Sequence, residues 1–420
     1  MTANVPTVER KRDGYDLAWP DGIRIEVRRI RRASDDLRCE LLIADTAAGD
    51  ALIHFGRINL LASETVSRLS RHLSERVNHV DWMSSLTQLV FLVAQKERLG
   101  EPVIDMGAMA EPADLGYLVQ NWLLPGLPTT LFGLGGTGKT YLGLLLLMAA
   151  SHGLPFLSYH TARPLQAMMI DYENNEHLTR RRLGRIARGM NLPVPPILYR
   201  RLELPLPDYE EALARNIDRH GIDLIMVDSF GLATGAGQNK DEAILPVYTT
   251  LRRLNVSSLL IDHESKESAT GKANEFAIGS VYKHNSSRIT YNVKAAKEAQ
   301  EKGRLYLRLS NQKANEDVRE HPYGVELIFT PDTVSARRIQ VKDLPSDLVE
   351  GLPLRERILI ELGQHTVMST KELADLLGES ADNVRKRLNE LTKDNKIARL
   401  KEGGKGAGDD SSWGLRSGYE

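Results

Sequence analysis

The sequence contains a single cysteine, Cys39, among its 420 residues. One cysteine excludes an internal disulfide framework and any zinc site built from several cysteines, and it suits the reducing cytoplasm. No window approaches the roughly 18 consecutive apolar residues that a membrane-spanning helix needs, and the first residues lack the apolar core of a signal peptide. We therefore expect a cytoplasmic protein with no membrane partner.

An excess of either charge is also missing, because 55 basic residues balance 56 acidic ones and leave a formal net charge of -1. Such a balance gives no overall attraction to nucleic acid, so any contact with DNA must come from local patches. With 41% hydrophobic residues, a chain of this length can bury more than one core. We expect two or three domains.

Residues 133–140, GLGGTGKT, match the phosphate-binding pattern G-x-x-x-x-G-K-[ST] at every fixed position. An apolar strand-like run precedes them and an apolar helix-like run follows at 141–150, which favours a P-loop over a glycine-rich turn without nucleotide. Lys139 would reach the β- and γ-phosphates of ATP, and the Thr140 hydroxyl would bind Mg²⁺. The predicted ATP-binding residues are Gly133, Gly135, Gly136, Thr137, Gly138, Lys139 and Thr140.

An aspartate, Asp228, ends the apolar strand predicted at residues 222–228. A carboxylate at the carboxyl end of a buried strand can hold the water shell of Mg²⁺ beside Thr140. Thr140 and Asp228 are therefore the predicted metal ligands.

A second acid must serve as general base. Many P-loop motors carry a glutamate directly after this aspartate, but here that position is Ser229. Glu173, just past a predicted strand that ends at Asp171, is the best-placed candidate to orient or deprotonate the attacking water. The alternative is that Glu173 only caps the next helix. Asp171 is the next acid to consider.

A polar stretch, residues 264–277, follows the strand predicted at 257–262 and His263. Loops at the carboxyl edge of an open sheet lie where ligands bind. His263 could sense the γ-phosphate by hydrogen bonding, or it could be a structural histidine. Lys266 and Lys272 could contact a nucleic-acid backbone.

The last part of the chain has the periodicity of three helices followed by a pair of strands around a glycine-rich tip at residues 403–408. This order predicts a winged helix-turn-helix. The third helix carries Arg385, Lys386 and Arg387 on its outer side, as a helix that reads a DNA groove does. The alternative is a winged helix used only for protein contacts.

Residues from about 115 to 293 resemble the RecA-like ATPases of the AAA_25 group, and they are similar to the RepA-type hexameric replicative helicases of plasmids. The resemblance rests on the P-loop, the strand end DYEN at residues 171–174, the arginine-rich helix after it, Asp228-Ser229, the run DHESK at 262–266, Gly279-Ser280 and Arg288.

The resemblance implies catalytic roles for five residues. Lys139 and Asp228 would act on the phosphates and the metal, Glu173 would be the catalytic glutamate, and His263 the sensor. Arg288 would be an arginine finger supplied to the nucleotide of the neighbouring subunit. It also implies ATP and Mg²⁺ as ligands, a homo-hexamer or other ring, and single-stranded DNA as partner.

The expected fold class is α/β, with a RecA-like doubly wound P-loop core. We expect a small α+β N-terminal domain at residues 1–100, a linker at 101–114, the ATPase core at 115–330, a second linker at 331–352 and the winged helix at 353–420. In the N-terminal domain, five arginines could touch phosphates or simply form a solvated face: Arg28, Arg29, Arg31, Arg32 and Arg38.

Two functions remain open at this point. The first is an ATP-driven motor that translocates on single-stranded DNA during replication of a plasmid, phage or other mobile element. The second is an initiator or regulator in which ATP switches assembly and the winged helix holds a duplex site.

Overall fold

The structure is a computed structural model. It describes residues 4–33, 36–100, 103–111, 116–235, 240–263, 285–296, 303–316, 319–401 and 411–416. Within these residues, no helix is both long and apolar enough to cross a membrane.

The strands, in chain order, are β1 (Thr7–Lys11), β2 (Gly14–Ala18), β3 (Ile23–Ala33), β4 (Asp36–Asp45), β5 (Ala51–Asn59), β6 (Pro128–Gly133), β7 (Ala167–Asp171), β8 (Leu198–Arg201), β9 (Leu224–Asp228), β10 (Ser257–His263), β11 (Ile289–Ala295), β12 (Arg304–Ala314), β13 (Tyr323–Phe329), β14 (Val334–Ile339), β15 (Met368–Ser369), β16 (Ile397–Lys401) and β17 (Ser412–Leu415).

The helices are α1 (Ser63–Arg76), α2 (Trp82–Leu99), α3 (Lys139–Ser151), α4 (Glu176–Met190), α5 (Glu210–His220), α6 (Phe230–Ala233), α7 (Lys240–Leu254), α8 (Ser346–Glu350), α9 (Leu354–His365), α10 (Thr370–Leu377) and α11 (Ala381–Lys393). Short 3-10 turns lie at Leu206–Tyr209 and Val341–Asp343.

The chain forms two compact units. Unit 1 comprises Met1–Gly116, Leu204–Asp223 and Pro246–Val256, and unit 2 comprises Tyr117–Glu203, Leu224–Leu245 and Ser257–Glu420.

Unit 1 is built around an antiparallel sheet in the order β1-β2-β3-β4-β5. On β3, Ile23, Ile25 and Val27 are buried and charged residues alternate with them. This period of two gives the sheet one apolar face. Leu73 of α1 and Trp82 of α2 belong to the same core, so the two helices cover that face.

Ion pairs join α5 to the N-terminal sheet within unit 1. Arg29 pairs with Glu211, and Arg12 pairs with Asp218 at 2.7 Å. These pairs are a physical reason why residues 204–223 group with unit 1, although the sequence placed them in the core of residues 115–330. They also favour a structural role for the N-terminal arginines over contacts with phosphates.

Unit 2 contains a large sheet in the order β14-β13-β12-β11-β6-β10-β9-β7-β8. The strands from β11 to β8 in this order are parallel, and β12, β13 and β14 add antiparallel pairs at the other side. The central strands are apolar and buried on both faces, as strands of a covered parallel sheet are. Helix α3 is buried along most of its length against this sheet.

The interpretation of residues 331–352 as a linker is wrong. This segment contains β14, which pairs with β13 in the large sheet, and then α8. Val334 of β14 is fully buried, and Leu348 of α8 packs with Leu344 and Ala296. The sequence does not predict β14, because only one or two apolar residues in VSARRI lie on its buried face.

The C-terminal part forms three helices and a small sheet in the order β15-β17-β16. Helices α9, α10 and α11 bury a leucine-rich core that includes Trp413 of β17. Ser369 and Glu372 form a capping box at the start of α10, and Ser380 caps α11. The expected glycine-rich tip at residues 403–408 lies outside the described residues.

Candidate nucleotide-binding and hydrolytic site

The register of the parallel strands aligns the ends that carry the predicted site residues. His263 of β10 is paired with Gly133 of β6. One strand further along, Asp228 of β9 is paired with Asp171 of β7. Carboxyl ends of neighbouring parallel strands meet at one edge of a sheet, so residues far apart in sequence share one site.

The P-loop takes a backbone conformation that suits glycine. Gly136 and Gly138 have φ values of 76° and 75°, in the left-handed region where side chains with a Cβ are strained. Gly138 is also the residue from which α3 starts. The first N–H groups of this helix and its dipole therefore favour an anion at this loop.

Lys139 is 4% exposed and its ammonium group lies among P-loop oxygens. Its Nζ donates to the carbonyl oxygens of Gly133 at 2.9 Å and Leu134 at 2.7 Å, and to Oγ1 of Thr137 at 3.3 Å. A buried positive charge at the start of a helix is suited to bind phosphate oxygens.

Thr140 and Asp228 lie in contact, because Thr140 Oγ1 donates to Asp228 Oδ2 at 2.8 Å. A hydroxyl and a carboxylate side by side are the oxygen donors that Mg²⁺ prefers. Burial raises the pKa of Asp228 to about 6, with the Thr140 hydrogen bond opposing the shift and the charge of Glu173 adding to it. A cation at this site would therefore stabilise the ionised form of the Asp228 carboxylate.

The raised pKa of Asp228 predicts a pH-dependent stability. The pKa of Asp228 in the folded protein, about 6, lies above the ordinary value of 3.8. Above pH 6 the buried carboxylate is ionised, and this lowers the stability of the nucleotide-free fold. The loss of stability disappears as the pH falls from the folded pKa to the unfolded pKa. We expect Asp228→Asn to stabilise the protein at neutral pH by roughly 2 to 3 kcal/mol. Thermal melting in EDTA across pH would show this gain shrinking below pH 6. A gain independent of pH would contradict it.

Glu173 lies beside His263 and Ser229. His263 Nε2 and Glu173 Oε1 are 3.1 Å apart. Burial acts to raise the pKa of Glu173, but hydrogen bonds with Ser229 and His263 outweigh it, so the pKa lies below its ordinary value. Glu173 is therefore ionised at neutral pH and able to accept a proton.

The turn that presents Glu173 is held by Asp171. Its Oδ1 accepts from the backbone N–H of Glu173 at 2.9 Å and of Asn174 at 2.8 Å. Asn175, whose side chain accepts from the N–H of Leu178, caps α4. Glu173 is thus not the capping residue, and the carboxylate of Asp171 is engaged in backbone contacts.

Two contributors to this site are not evident from the sequence. In the sequence, Ser229 is notable only because it occupies the position where many P-loop motors have a glutamate. In the structure, its side chain forms a hydrogen bond with Glu173. In the sequence, Asp171 is only the second candidate for the general base. In the structure, its carboxylate holds the turn that contains Glu173. The bond between Ser229 and Glu173 depends on the adjacency of β7 and β9, which no local sequence pattern shows, whereas the bonds of Asp171 lie within its own turn.

Arg288 does not lie at this edge. It directly precedes β11, and its N–H donates to the carbonyl of Pro128 at the start of β6. Because β11 and β6 are parallel, Arg288 is at the end of the sheet opposite to its own P-loop. Lys266, Lys272 and Gly279-Ser280 lie outside the described residues.

The predicted DNA-binding residues of the winged helix lie on α11. Arg385 pairs with Asp382 at 2.6 Å, and Arg387 pairs with Glu390 at 2.8 Å. Lys386 is exposed. Exposed pairs within a helix are worth only about 0.3–0.5 kcal/mol, so phosphates can displace these acids at little cost.

Comparisons with known proteins agree with a two-part assignment. Residues 95–269 match the AAA_25 family model, described as an AAA domain, and residues 355–406 match a DeoR-like helix-turn-helix domain. The chain therefore contains a segment that matches the AAA_25 domain and includes the P-loop, and a second segment that matches a helix-turn-helix domain.

Among solved structures, a KaiC-like protein from the hyperthermophilic archaeon Pyrococcus horikoshii is similar at 13% identity and a TM-score of 0.39, over 54% of this chain and 99% of that one. A search of curated proteins found no match.

Proposed function

We propose that this protein is an ATP-hydrolysing, helicase- or translocase-like motor that acts on single-stranded DNA, in the replication of a plasmid, phage or other mobile element. The observation that carries the proposal is the ionised Glu173 beside the P-loop, with His263 in contact at 3.1 Å. A protein that only bound ATP would not need a positioned base. The DNA part of the proposal rests on the RepA-type resemblance and the helix-turn-helix match.

The residues of the site divide the work of hydrolysis. Lys139 and the P-loop N–H groups bind the β- and γ-phosphates. Thr140 and Asp228 would hold Mg²⁺, which supplies positive charge to the phosphate oxygens. Glu173 orients the attacking water and accepts its proton, while His263 and Ser229 keep the Glu173 carboxylate in place.

Single-stranded DNA tests the motor directly. We expect ATP turnover by the full chain to rise several-fold when single-stranded DNA is added, and to rise less with duplex DNA. The matched control is Glu173→Gln, which should show no rise with either. Turnover that ignores single-stranded DNA would contradict the motor function and leave the ATPase chemistry intact.

Arg288 is proposed to complete the site of a neighbouring subunit. A ring of identical subunits, a hexamer in the RepA-type helicases, sets the nucleotide of one subunit against the next. A cation supplied in this way is worth about 10³ to 10⁵ in rate in related enzymes. The position of Arg288, at the sheet end opposite to its own P-loop, supports action on another copy.

Mixing two inactive variants tests this assignment. Rings that combine Arg288→Ala with Glu173→Gln contain some interfaces where an intact Glu173 faces an intact Arg288, so part of the activity should return. Sedimentation of the mixture shows whether the variants assemble together. Co-assembly without recovery would contradict a shared site.

The second candidate function is an ATP-switched initiator or regulator that holds a duplex site. The helix-turn-helix match and the basic residues of α11 favour it. Under this function, replacing Arg385, Lys386 and Arg387 with glutamine should lower the affinity of the full chain for duplex DNA. The slope of log affinity against log salt should fall by about one unit for each phosphate that the variant no longer binds. An unchanged slope would favour a winged helix that contacts protein.

A further inference from the structure

Helix α4 and strand β14 carry a concentration of arginines, of which Arg182 acts on the charge of Asp228 and belongs to the proposed site. The sequence of α4, EHLTRRRLGRIARGM, contains five arginines, and β14, VSARRI, adds two. Arg337 points to the opposite face of the sheet from Val334 and Arg338, because successive side chains of a strand alternate. We call the remaining residues the α4–β14 arginine face: Arg180, Arg181, Arg185, Arg188 and Arg338.

The helix and the strand are packed together and form one surface. A Cβ at Gly189 would lie 2.2 Å from the carbonyl oxygen of Val334, so only glycine allows this approach. Arg185 donates to the carbonyl of Thr330 in the turn that precedes β14. The outer arginines of α4 and Arg338 therefore lie on two elements that are packed together on one face of the sheet.

Most of the charge on this face is not neutralised. Arg188 donates to the carbonyl of Asp332 at 2.9 Å, and Arg338 lies over the ring of Tyr323 at 4.2 Å. A carbonyl or a ring orients a guanidinium without cancelling its charge. Among the described residues, none of the five arginines of this face forms an ion pair, whereas Arg337, on the opposite face, pairs with the buried Glu326.

Two exposed arginines of the N-terminal strands provide a contrast. Arg38 pairs with Asp36 at 2.6 Å, and Arg57 pairs with Glu40 at 2.9 Å. Like charges three and four residues apart destabilise a helix, so the repeated arginines of α4 do not serve its folding. An unbalanced positive surface of this kind fits an anionic partner.

We propose that the α4–β14 arginine face binds the phosphodiester backbone of nucleic acid. Arg181 and Arg188 are separated by about 10 Å along the helix at 1.5 Å per residue. That distance corresponds to about three base pairs of rise along the axis of duplex DNA at 3.4 Å per pair. Contacts between guanidinium groups and phosphates carry no sequence information, so we expect binding through this face to be independent of sequence.

This inference relies on the proposed function only in taking nucleic acid as the ligand. It adds a contact surface separate from the basic residues of α11 and from Lys266 and Lys272. A motor with such a surface would contact DNA at a second place besides the predicted contacts of Lys266 and Lys272.

The test measures DNA binding by the full chain without nucleotide. Fluorescence polarisation with a labelled single-stranded oligonucleotide and a labelled duplex, both of arbitrary sequence, gives affinity across a salt series. We expect Arg180→Gln with Arg181→Gln to weaken binding about tenfold or more at low salt. The slope of log affinity against log salt should fall by about two units, one for each arginine replaced.

The matched control is Arg38→Gln with Arg57→Gln, which removes two exposed but paired arginines and should leave the slope unchanged. Thermal melting confirms that both double variants are folded. In a chain that already lacks the basic residues of α11, the α4 change should cause the same further weakening. Weaker binding to one or both oligonucleotides supports the face, and the difference identifies the preferred strand form.

An unchanged slope with both oligonucleotides overturns the proposal. So does a changed sedimentation coefficient of the α4 variant with normal DNA binding, which would make the face a contact between copies of this chain. Because the readout is binding without ATP, a slope that falls while turnover ignores single-stranded DNA would uphold this inference and contradict the motor.

Discussion

Replacing Lys139 with alanine should weaken ATP binding by about 10- to 100-fold, the equivalent of about 1.5 to 3 kcal/mol for a hydrogen bond to a charged group. Turnover should fall further, to a level indistinguishable from background. The reason is that the ammonium group neutralises charge that grows on the transferred phosphate in the transition state. Titration with a fluorescent ATP analogue and a phosphate-release assay measure the two effects separately.

The structure calls for a second variant at this position. The Lys139 ammonium donates to three oxygens of the P-loop, so alanine also removes hydrogen bonds that hold the loop itself. Lys139→Met keeps most of the buried stem and removes only the charged head. Both variants should lose activity alike, with a smaller fall in melting temperature for methionine. Normal binding and hydrolysis by either would refute the assignment of the P-loop.

The parts of the site that could be predicted from the sequence lie in short runs of consecutive residues. The P-loop is contained in residues 133–140, and its glycines, Lys139 and Thr140 take their places through local backbone geometry. Asp228 was predicted because the change from apolar to acidic residues marks the end of a buried strand. Its contact with Thr140 confirms that β6 and β9 end at the same edge.

The parts that could not be predicted depend on which strands are neighbours. His263 meets Glu173 only because β10, β9 and β7 lie side by side. Nothing in the local sequence distinguished Glu173 as base from Glu173 as helix cap. The structure gives the cap to Asn175, and the role of Glu173 as base stays a prediction. Strand β14 could not be predicted for a similar reason, because it is recognisable mainly by its pairing with β13.

The exposure of the arginines and their ion pairs could not be predicted from the sequence either. The arginines of the N-terminal strands and those of α4 look alike as runs of letters. The structure separates them, because Arg38 and Arg57 form ion pairs and, among the described residues, the arginines of α4 do not. A basic run therefore predicts a contact with phosphate only after its acidic neighbours are known.

The geometry also narrows the choice of general base before any experiment. Asp171 is fully buried, and its second oxygen accepts from Thr179 Oγ1 at 3.1 Å. With its first oxygen engaged by the backbone of the turn, it has a structural task. Asp171→Asn should lower the melting temperature as well as turnover, and this double effect distinguishes it from a change at the base itself.

Replacing Glu173 with glutamine should leave ATP binding nearly unchanged and reduce turnover by roughly 10²-fold or more, the size typical of losing a general base. Glutamine keeps the length of the side chain and an oxygen that can accept from Ser229, but it cannot take a proton from the attacking water. Single-turnover hydrolysis of labelled ATP isolates this step from product release, and equilibrium binding under the same conditions supplies the control. Glu173→Asp should recover little, because the shorter carboxylate moves away from His263. Unchanged turnover in the glutamine variant would move the base to another group and remove the main support for a hydrolytic motor.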